Sequence, residues 1–202
     1  MEPEVRLVPG EEAHAVIDVL CDAFASYPVM RYVLGGTSGP DDPRLRRLVQ
    51  FFAMARMLRD EPVLGVVEGG ALVGVATVSL PGMRESPSAL AVLREAVWSD
   101  LGAEALARYE ACGRAWSTIS AELPHVHLNM LGVRPAFQGR GFARHLLERA
   151  QEVARATEGA EGVMLLTESP RNVALYEHVG YEKVGHARIS PELESWGLFR
   201  RN

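Results

Sequence analysis

Apolar positions change period several times along this chain, and each change marks an expected element. In EEAHAVIDVLCDAFASYP, Ala13, Val16, Ile17, Leu20 and Phe24 recur at three- and four-residue spacing, which predicts a helix after a short first strand, VRLVPG. YVLGGTSGPDDPR reads as a Gly/Pro/Asp loop. A second helix is expected from about Arg44 to Arg59, burying Leu45, Leu48, Phe52, Ala55 and Met57 or their neighbours. The period then drops: PVLGVVEGGALVGVATVSLPG reads as two Val-rich strands joined at Glu68-Gly69-Gly70. Residues 86–120 return to helical spacing, with Ser86-Pro87 as the expected N-cap and first-turn pair and Leu106, Tyr109, Gly113 and Trp116 on one face.

Beyond residue 120 strands and helices alternate. HVHLNMLGV is a strand, and Phe142, Leu146, Leu147, Ala150, Val153 and Ala154 stripe a helix that Gly159 is expected to end. GVMLLTE is a buried strand, SPRNVALYEHVG a short helix opened by Ser169-Pro170 and closed by Gly180, and YEKVGHARI and SWGLFRR close the chain as strands. No repeat, low-complexity tract or linker interrupts the pattern. One mixed α/β domain over residues 1–202 is expected, with a helical segment at about 84–120.

Composition narrows the function classes. At 202 residues the chain is long enough for one well-buried core. Its net charge of −5 argues against bulk capture of nucleic acid or anionic membrane. Nearly all its basic charge is Arg, since Lys183 is the only lysine, and Arg suits phosphate through its planar fork. Cys21 and Cys112 lie far apart, with no metal or redox spacing, and read as reduced core thiols. With no leader-like start and no long apolar run, the expected compartment is the cytoplasm.

The stretch LGVRPAFQGRGFARHLLERAQEVAR places a Pro and two glycines between a strand and an amphipathic helix. A P-loop would need a Lys and a Ser or Thr after its last glycine, and neither is present. A dinucleotide turn would need a third glycine where Arg144 stands, and a turn directly off the strand. The spacing instead resembles motif A of the GNAT superfamily of acyl-CoA-dependent N-acetyltransferases, Gln/Arg-x-x-Gly-x-Gly/Ala, with Gln138, Gly141 and Ala143 at its positions. The order of elements extends the resemblance over about residues 5–200, and ESPRNVALYEHVGY is similar to the family's later Asn…Leu-Tyr-Glu segment. Within the family, the later segments are most similar to the puromycin-acetyltransferase-like branch.

This resemblance implies a mostly antiparallel mixed sheet of six to seven strands, splayed at an acyl-CoA site and flanked by helices. It implies acetyl-CoA as cofactor, held by Leu131, Gly132, Val133, Gln138, Gly139, Arg140, Gly141, Phe142, Ala143, Arg144 and Asn172, with Arg134 and Arg171 as outer phosphate candidates. Glycines at 139 and 141 let backbone approach phosphate at a helix start. A helix dipole supplies at most about 2 kcal/mol, whereas micromolar affinity needs about 8, so the turn alone does not hold such a cofactor. The family's answer is pantetheine lying along the splayed strand.

The chemistry sets further demands. An alkyl amine with a pKa of about 10.4 is neutral in roughly one molecule in 2,500 at pH 7, so the site needs a proton acceptor, a donor for the carbonyl oxygen and an acid for the leaving thiolate. Tyr176 matches the family's acid, Asn172 stands one turn before it, and an amide near Leu131–Gly132 is the expected oxyanion donor. His125, His127 and Asn129 share a strand face; His127 is the candidate base or water anchor, with a structural hydrogen-bonded role as its alternative. The branch often has Tyr at that position. It also often has Glu just before Thr167, where this chain has Leu166, with Glu168 after it; Glu168 and Glu122 are weaker base candidates. A metal bound by the HxH pair lacks a third ligand. Acceptor contacts are expected from Tyr27, Tyr32, Trp116 and His125, and Trp98 and Tyr109 read as pocket wall or core. The expected activity is direct acetyl transfer in a ternary complex to the primary amine of a small molecule, by a monomer or homodimer. The alternatives are a protein or peptide amine acceptor and a silent acyl-CoA-binding module.

Overall fold

The Val-rich runs on either side of Gly69-Gly70 pair with each other. In the computed structural model, which describes residues 3–37, 39–82 and 86–202, β2 (Val63–Glu68) and β3 (Ala71–Ser79) run antiparallel with Glu68 opposite Ala71. Gly69 and Gly70 take φ of 59° and 79°, the sign pattern of a two-residue hairpin turn matched to strand twist. Outside this hairpin lie β1 (Glu4–Leu7) and, on the other side, β4 (Val126–Val133), β5 (Gly162–Thr167), β7 (Leu193–Arg201) and β6 (Glu182–Ser190). The sheet order is β1-β2-β3-β4-β5-β7-β6, antiparallel throughout except between β4 and β5. This is the open, mostly antiparallel mixed sheet that the family resemblance implies.

Helices cover both faces. α1 (Ala13–Phe24) packs on β3 and β4, while α6 (Phe142–Ala156) packs on β2 to β5 of the opposite face. The stripe of α6 buries Phe142, Leu146, Leu147, Ala150 and Ala154, with Val153 only half-buried and Gln151 buried instead. Its amide side chain donates to the Arg201 carbonyl at 3.0 Å, so a polar residue on that face is satisfied. α6 ends at Ala156, and Gly159 (φ 75°) belongs to the turn beyond it.

Three expectations change. The stretch read as loop contains α2 (Pro28–Leu34), which Pro28 opens at its first turn. Gly35 and Gly36 close it by donating to the Tyr32 and Arg31 carbonyls. α3 (Pro43–Met57) is capped by Asp42, which accepts from the Arg44 amide at 2.9 Å. It fully buries Phe51 and Ala53 and only half-buries Phe52 and Met57, because it is packed between α1 and α4 (Ser88–Leu101). The 86–120 stretch is two helices, α4 and α5 (Ala103–Trp116), broken where Gly102 takes φ 86°; Pro87, not Ser86, holds the N-cap position, and residues 84 and 85 lie outside the described residues. Trp98 stacks on Tyr109 with ring centroids 4.8 Å apart, which fastens the two helices together.

α7 (Pro170–His178) ends in a Schellman turn. Gly180 (φ 91°) donates to Glu177, Tyr181 donates to Tyr176, and the Tyr176 and Tyr181 rings meet at 5.8 Å. Cys21 and Cys112 are free and buried. Among the described residues, no helix is long and apolar enough to cross a membrane.

Gly132 lets α1 lie directly on β4. A Cβ there would stand 2.7 Å from Ala23 Cβ and 3.1 Å from the Phe24 ring. Gly132→Ala is therefore expected to lower unfolding stability by about 1–3 kcal/mol through overpacking. Urea unfolding should show the midpoint moved down at unchanged slope.

Candidate active site

The parallel pair β4–β5 holds together over only three residues, Val126–Leu128 against Val163–Leu165. Beyond them β4 continues on β3 to Val133, and β5 continues on β7 to Thr167, so the two strands part. The parting opens a cleft of ≈ 1310 Å³ bounded by β4, the Gly-rich turn and α7. A second cavity of ≈ 560 Å³ lies among α2, α3, α4 and α5. The two share a wall made of Phe24, Tyr27, Leu131, Asn172 and Tyr176.

The cleft receives the turn. Leu131, Gly132, Val133, Gln138, Gly139, Gly141, Phe142, Ala143, Arg144 and Asn172 all line it. Gly139 and Gly141 take φ of 75° and 85°, with nothing within 4 Å of where a Cβ would stand. Among the described residues, the amides from Gly139 to Ala143 have no backbone acceptor, so they form an unpaired donor row at the start of a 15-residue helix. Gln138 donates to the Val133 carbonyl at 2.9 Å and pins the turn to the end of β4. Arg144, Arg171 and Arg200 line the cleft, with Arg144 also 2.8 Å from Glu148. An open amide row, two glycines and three guanidinium groups fit the pyrophosphate of acetyl-CoA. Arg140 and Arg134 are placed elsewhere. Arg140 forks onto Glu68 and lies 5.1 Å over the Phe142 ring, while Arg134 pairs with Asp22 and donates to the Leu72 carbonyl. Each ties the turn to a neighbouring element, and neither side chain lines the cleft.

The smaller cavity contains Tyr27, Trp116, Tyr109, His127, Asn129 and Glu168. Glu168 follows directly on β5 and is 6% exposed; its Oε1 accepts from Trp116 Nε1 at 3.0 Å and from Ser195 Oγ at 2.9 Å. Burial pushes its carboxyl above the usual range, against those two bonds and Tyr27. Tyr27 accepts from the Glu168 amide at 3.1 Å and hydrogen-bonds Thr167 Oγ1 at 2.9 Å, which fixes the free end of β5. Tyr176 is buried, and its hydroxyl is pushed up to about 12 by burial and then by the Glu168 charge.

His127 sits half-buried on β4. Burial, His125 and Arg56 bring its imidazole down to about 4, so it is neutral near pH 7 and a much weaker base than an ordinary histidine. Two residues expected at the acceptor, His125 and Tyr32, are placed elsewhere. His125 turns to the Leu123 carbonyl (2.7 Å) and the Phe199 ring (6.2 Å), and Tyr32 lines neither cavity. Trp98 is core, and Glu122 is exposed and away from both cavities. Arg56 and Arg59 line the smaller cavity unannounced. Helical spacing held a signal for both: Arg56 follows Phe52 by four residues and Arg59 follows Ala55 by four, which puts charge on an apolar face.

The Acetyltransferase (GNAT) family matches residues 29–181. This chain belongs to that family. Its members use acetyl-CoA. N-alpha-acetyltransferase RimI of Mycobacterium tuberculosis is 38% identical over 61 residues, a match spanning 30% of this chain and 37% of RimI. A Corynebacterium glutamicum structure described as histone acetyltransferase HPA2 and related acetyltransferase superposes with a TM-score of 0.72 at 20% identity, over 100% of this chain and 97% of the other. The Drosophila melanogaster polyamine N-acetyltransferase, which forms N-acetylagmatine, superposes at 0.63 and 19% identity over 100% of both chains. At these identities the two structures show a common GNAT fold.

The His127 value carries a sign. Its pKa in the folded chain lies below that of the unfolded chain, so protonation favours unfolding. The stability it preserves is complete above about pH 6.5. It is lost progressively as pH falls toward about 4. The His127 ring signal in an NMR titration should stay flat from neutral pH downward and move only near 4. His127→Gln should flatten the fall of Tm over the same window.

Proposed function

We propose that this protein transfers an acetyl group from acetyl-CoA directly to the primary amine of a small molecule, within a ternary complex. The observation that carries the reading is the wall common to the two cavities, which contains both Tyr176 and Asn172. Donor and acceptor entering from opposite sides meet there. The amide row from Gly139 to Ala143, with Arg144, Arg171 and Arg200, receives the pyrophosphate, and the edge of β4 from Asn129 to Val133 accepts the pantetheine arm as an added strand.

When bound, acetyl-CoA supplies the acetyl group as a thioester, whose C–S bond breaks as the N–C bond forms. Glu168 takes the proton from the amine nitrogen; a carboxyl raised by burial is a stronger base than one in water. Tyr176, protonated at every physiological pH, gives its proton to the departing sulfur. His127 remains neutral and contributes a hydrogen-bonding ring to the acceptor cavity. A small acceptor is favoured by a cavity of ≈ 560 Å³ walled by four helices, within the range of small-molecule sites. The likeness to RimI is the observation on the side of a peptide amine. Two titrating groups raised in the acceptor wall favour catalysis over silent binding.

Thiol release from acetyl-CoA across an amine panel tests the activity. With an acceptor found there, Tyr176→Phe is expected to lower kcat by about 10²-fold while calorimetry gives an unchanged acetyl-CoA affinity. Normal turnover would make Tyr176 a packing residue. The wild-type kcat should fall as pH drops through a pKa above the ordinary carboxylate value, since the base works only when deprotonated. Glu168→Gln keeps an acceptor for Trp116 and Ser195, so it should fold, turn over at least about 10²-fold more slowly and lose that limb. An acid limb intact in Glu168→Gln would place the base elsewhere. Gly141→Val should abolish cofactor binding, because φ of 85° disfavours a branched residue and its side chain would fill the open space before the amide row.

A further inference from the structure

One end of the acceptor cavity is lined by basic side chains. Three guanidinium groups line it, from Arg56 late in α3, Arg59 just beyond it and Arg94 in α4, and among the described lining residues the one carboxylate is Glu168. The chain as a whole carries −5, so a lining with three arginines runs against its composition. Arg56 is anchored: its guanidinium lies 2.8 Å from buried Glu61 and donates to Ser79 Oγ, which also accepts from Asn129. Arg59 donates to the Ala55 carbonyl and to Ser86 Oγ, both at 2.9 Å. Arg94 is exposed and has no ion pair among the described residues. Burial works against the charge on Arg56, the Glu61 carboxylate supports it, and the neighbouring Arg59 opposes it to a smaller degree.

Glu168 belongs to a different end. Its partners are Trp116, Ser195 and Tyr27, and its charge acts on Tyr27, Cys112 and Tyr176, whereas the carboxylate that acts on Arg56 is Glu61. Between the two ends the walls are aromatic: Phe51, Phe52, Tyr109 and Trp116. A plain alkylammonium would be attracted at one end and repelled at the other.

We propose that the acceptor carries an oxyanion, a carboxylate or phosphoryl group, on an apolar body at the end opposite its primary amine, and that Arg94 receives it. The inference rests on the acetyltransferase reading above. Guanidinium forks match both anions, so the shared chemistry is the oxyanion.

The test compares 4-(aminomethyl)benzoate, the corresponding phenylphosphonate and the neutral 4-(aminomethyl)benzamide as acceptors. One charge-assisted contact corresponds to about tenfold, so at least one anionic acceptor should exceed the benzamide in kcat/KM by about that factor. In Arg94→Gln the ratio of anionic to neutral acceptor should collapse toward one, mainly through KM. The better of the two anions identifies the source. Equal or faster turnover of the benzamide overturns the proposal and leaves acetyl transfer standing. A preference that survives Arg94→Gln unchanged overturns it too. If acetyl-CoA binds but no compound turns over, calorimetric titration into the CoA-loaded protein decides: tighter binding of an anionic compound supports the proposal, while equal binding or none overturns it. Failure of acetyl-CoA itself to bind removes the underlying reading, and this one with it.

Discussion

The site depends on strands β4 and β5 agreeing for three residues and then parting. Parallel neighbours normally stay paired, because every buried N–H and C=O needs a partner. Here each strand keeps its outer neighbour, β3 or β7, and gives up the inner one. The end of β5 is met from within the protein, by the Tyr27 hydroxyl on the Glu168 amide and on Thr167. The facing edge of β4 is held in place from behind by α1 against Gly132 and by Arg134 on Asp22, and its inner side opens on the cleft. The sheet thus supplies a rigid, unpaired edge beside a row of open amides. Both are polar surfaces that water or an elongated anionic ligand can satisfy.

Much of this was legible in the sequence, and the legible part is local. The hairpin at Gly69-Gly70, the strand–turn–helix around Gln138 to Ala143, and the α7 segment from Ser169-Pro170 to Gly180 are each announced by residues within a few positions of the feature. α2 was hidden because a seven-residue helix carries less than two turns of periodicity and stood beside a Gly/Pro/Asp run. Side-chain direction was hidden for another reason. Arg140 is drawn to Glu68, Arg134 to Asp22 and His125 to Phe199, partners more than 70 residues distant that no local pattern reports.

The same distinction separates the two base candidates. His127 stands out because histidine is the usual group titrating near neutrality, yet burial, then His125 and Arg56, bring it down to about 4. Glu168 looked misplaced by two positions. Its environment is assembled from Tyr27, Trp116 and Ser195, on three elements far apart in the chain, and it is that environment which raises its affinity for a proton. Residue type nominates His127, whereas the terms that favour Glu168 in the proposed reaction are tertiary.

In the proposed reaction the coupling between Glu168 and Tyr176 orders the proton transfers. The negative carboxylate is one of the two causes that hold the Tyr176 hydroxyl up near 12, so before reaction Tyr176 stays protonated as a donor in reserve. Once Glu168 has taken the amine's proton its charge is gone, and with it that part of the elevation. Tyr176 then becomes the better acid at the stage when sulfur departs and needs a proton. The ring has little freedom to drift meanwhile, since the Schellman turn at Gly180 and the Tyr181 ring fix it from the helix end. A base that strengthens its acid by being used requires the two groups to be buried together and close, and the parting of β4 from β5 beside α7 creates that arrangement.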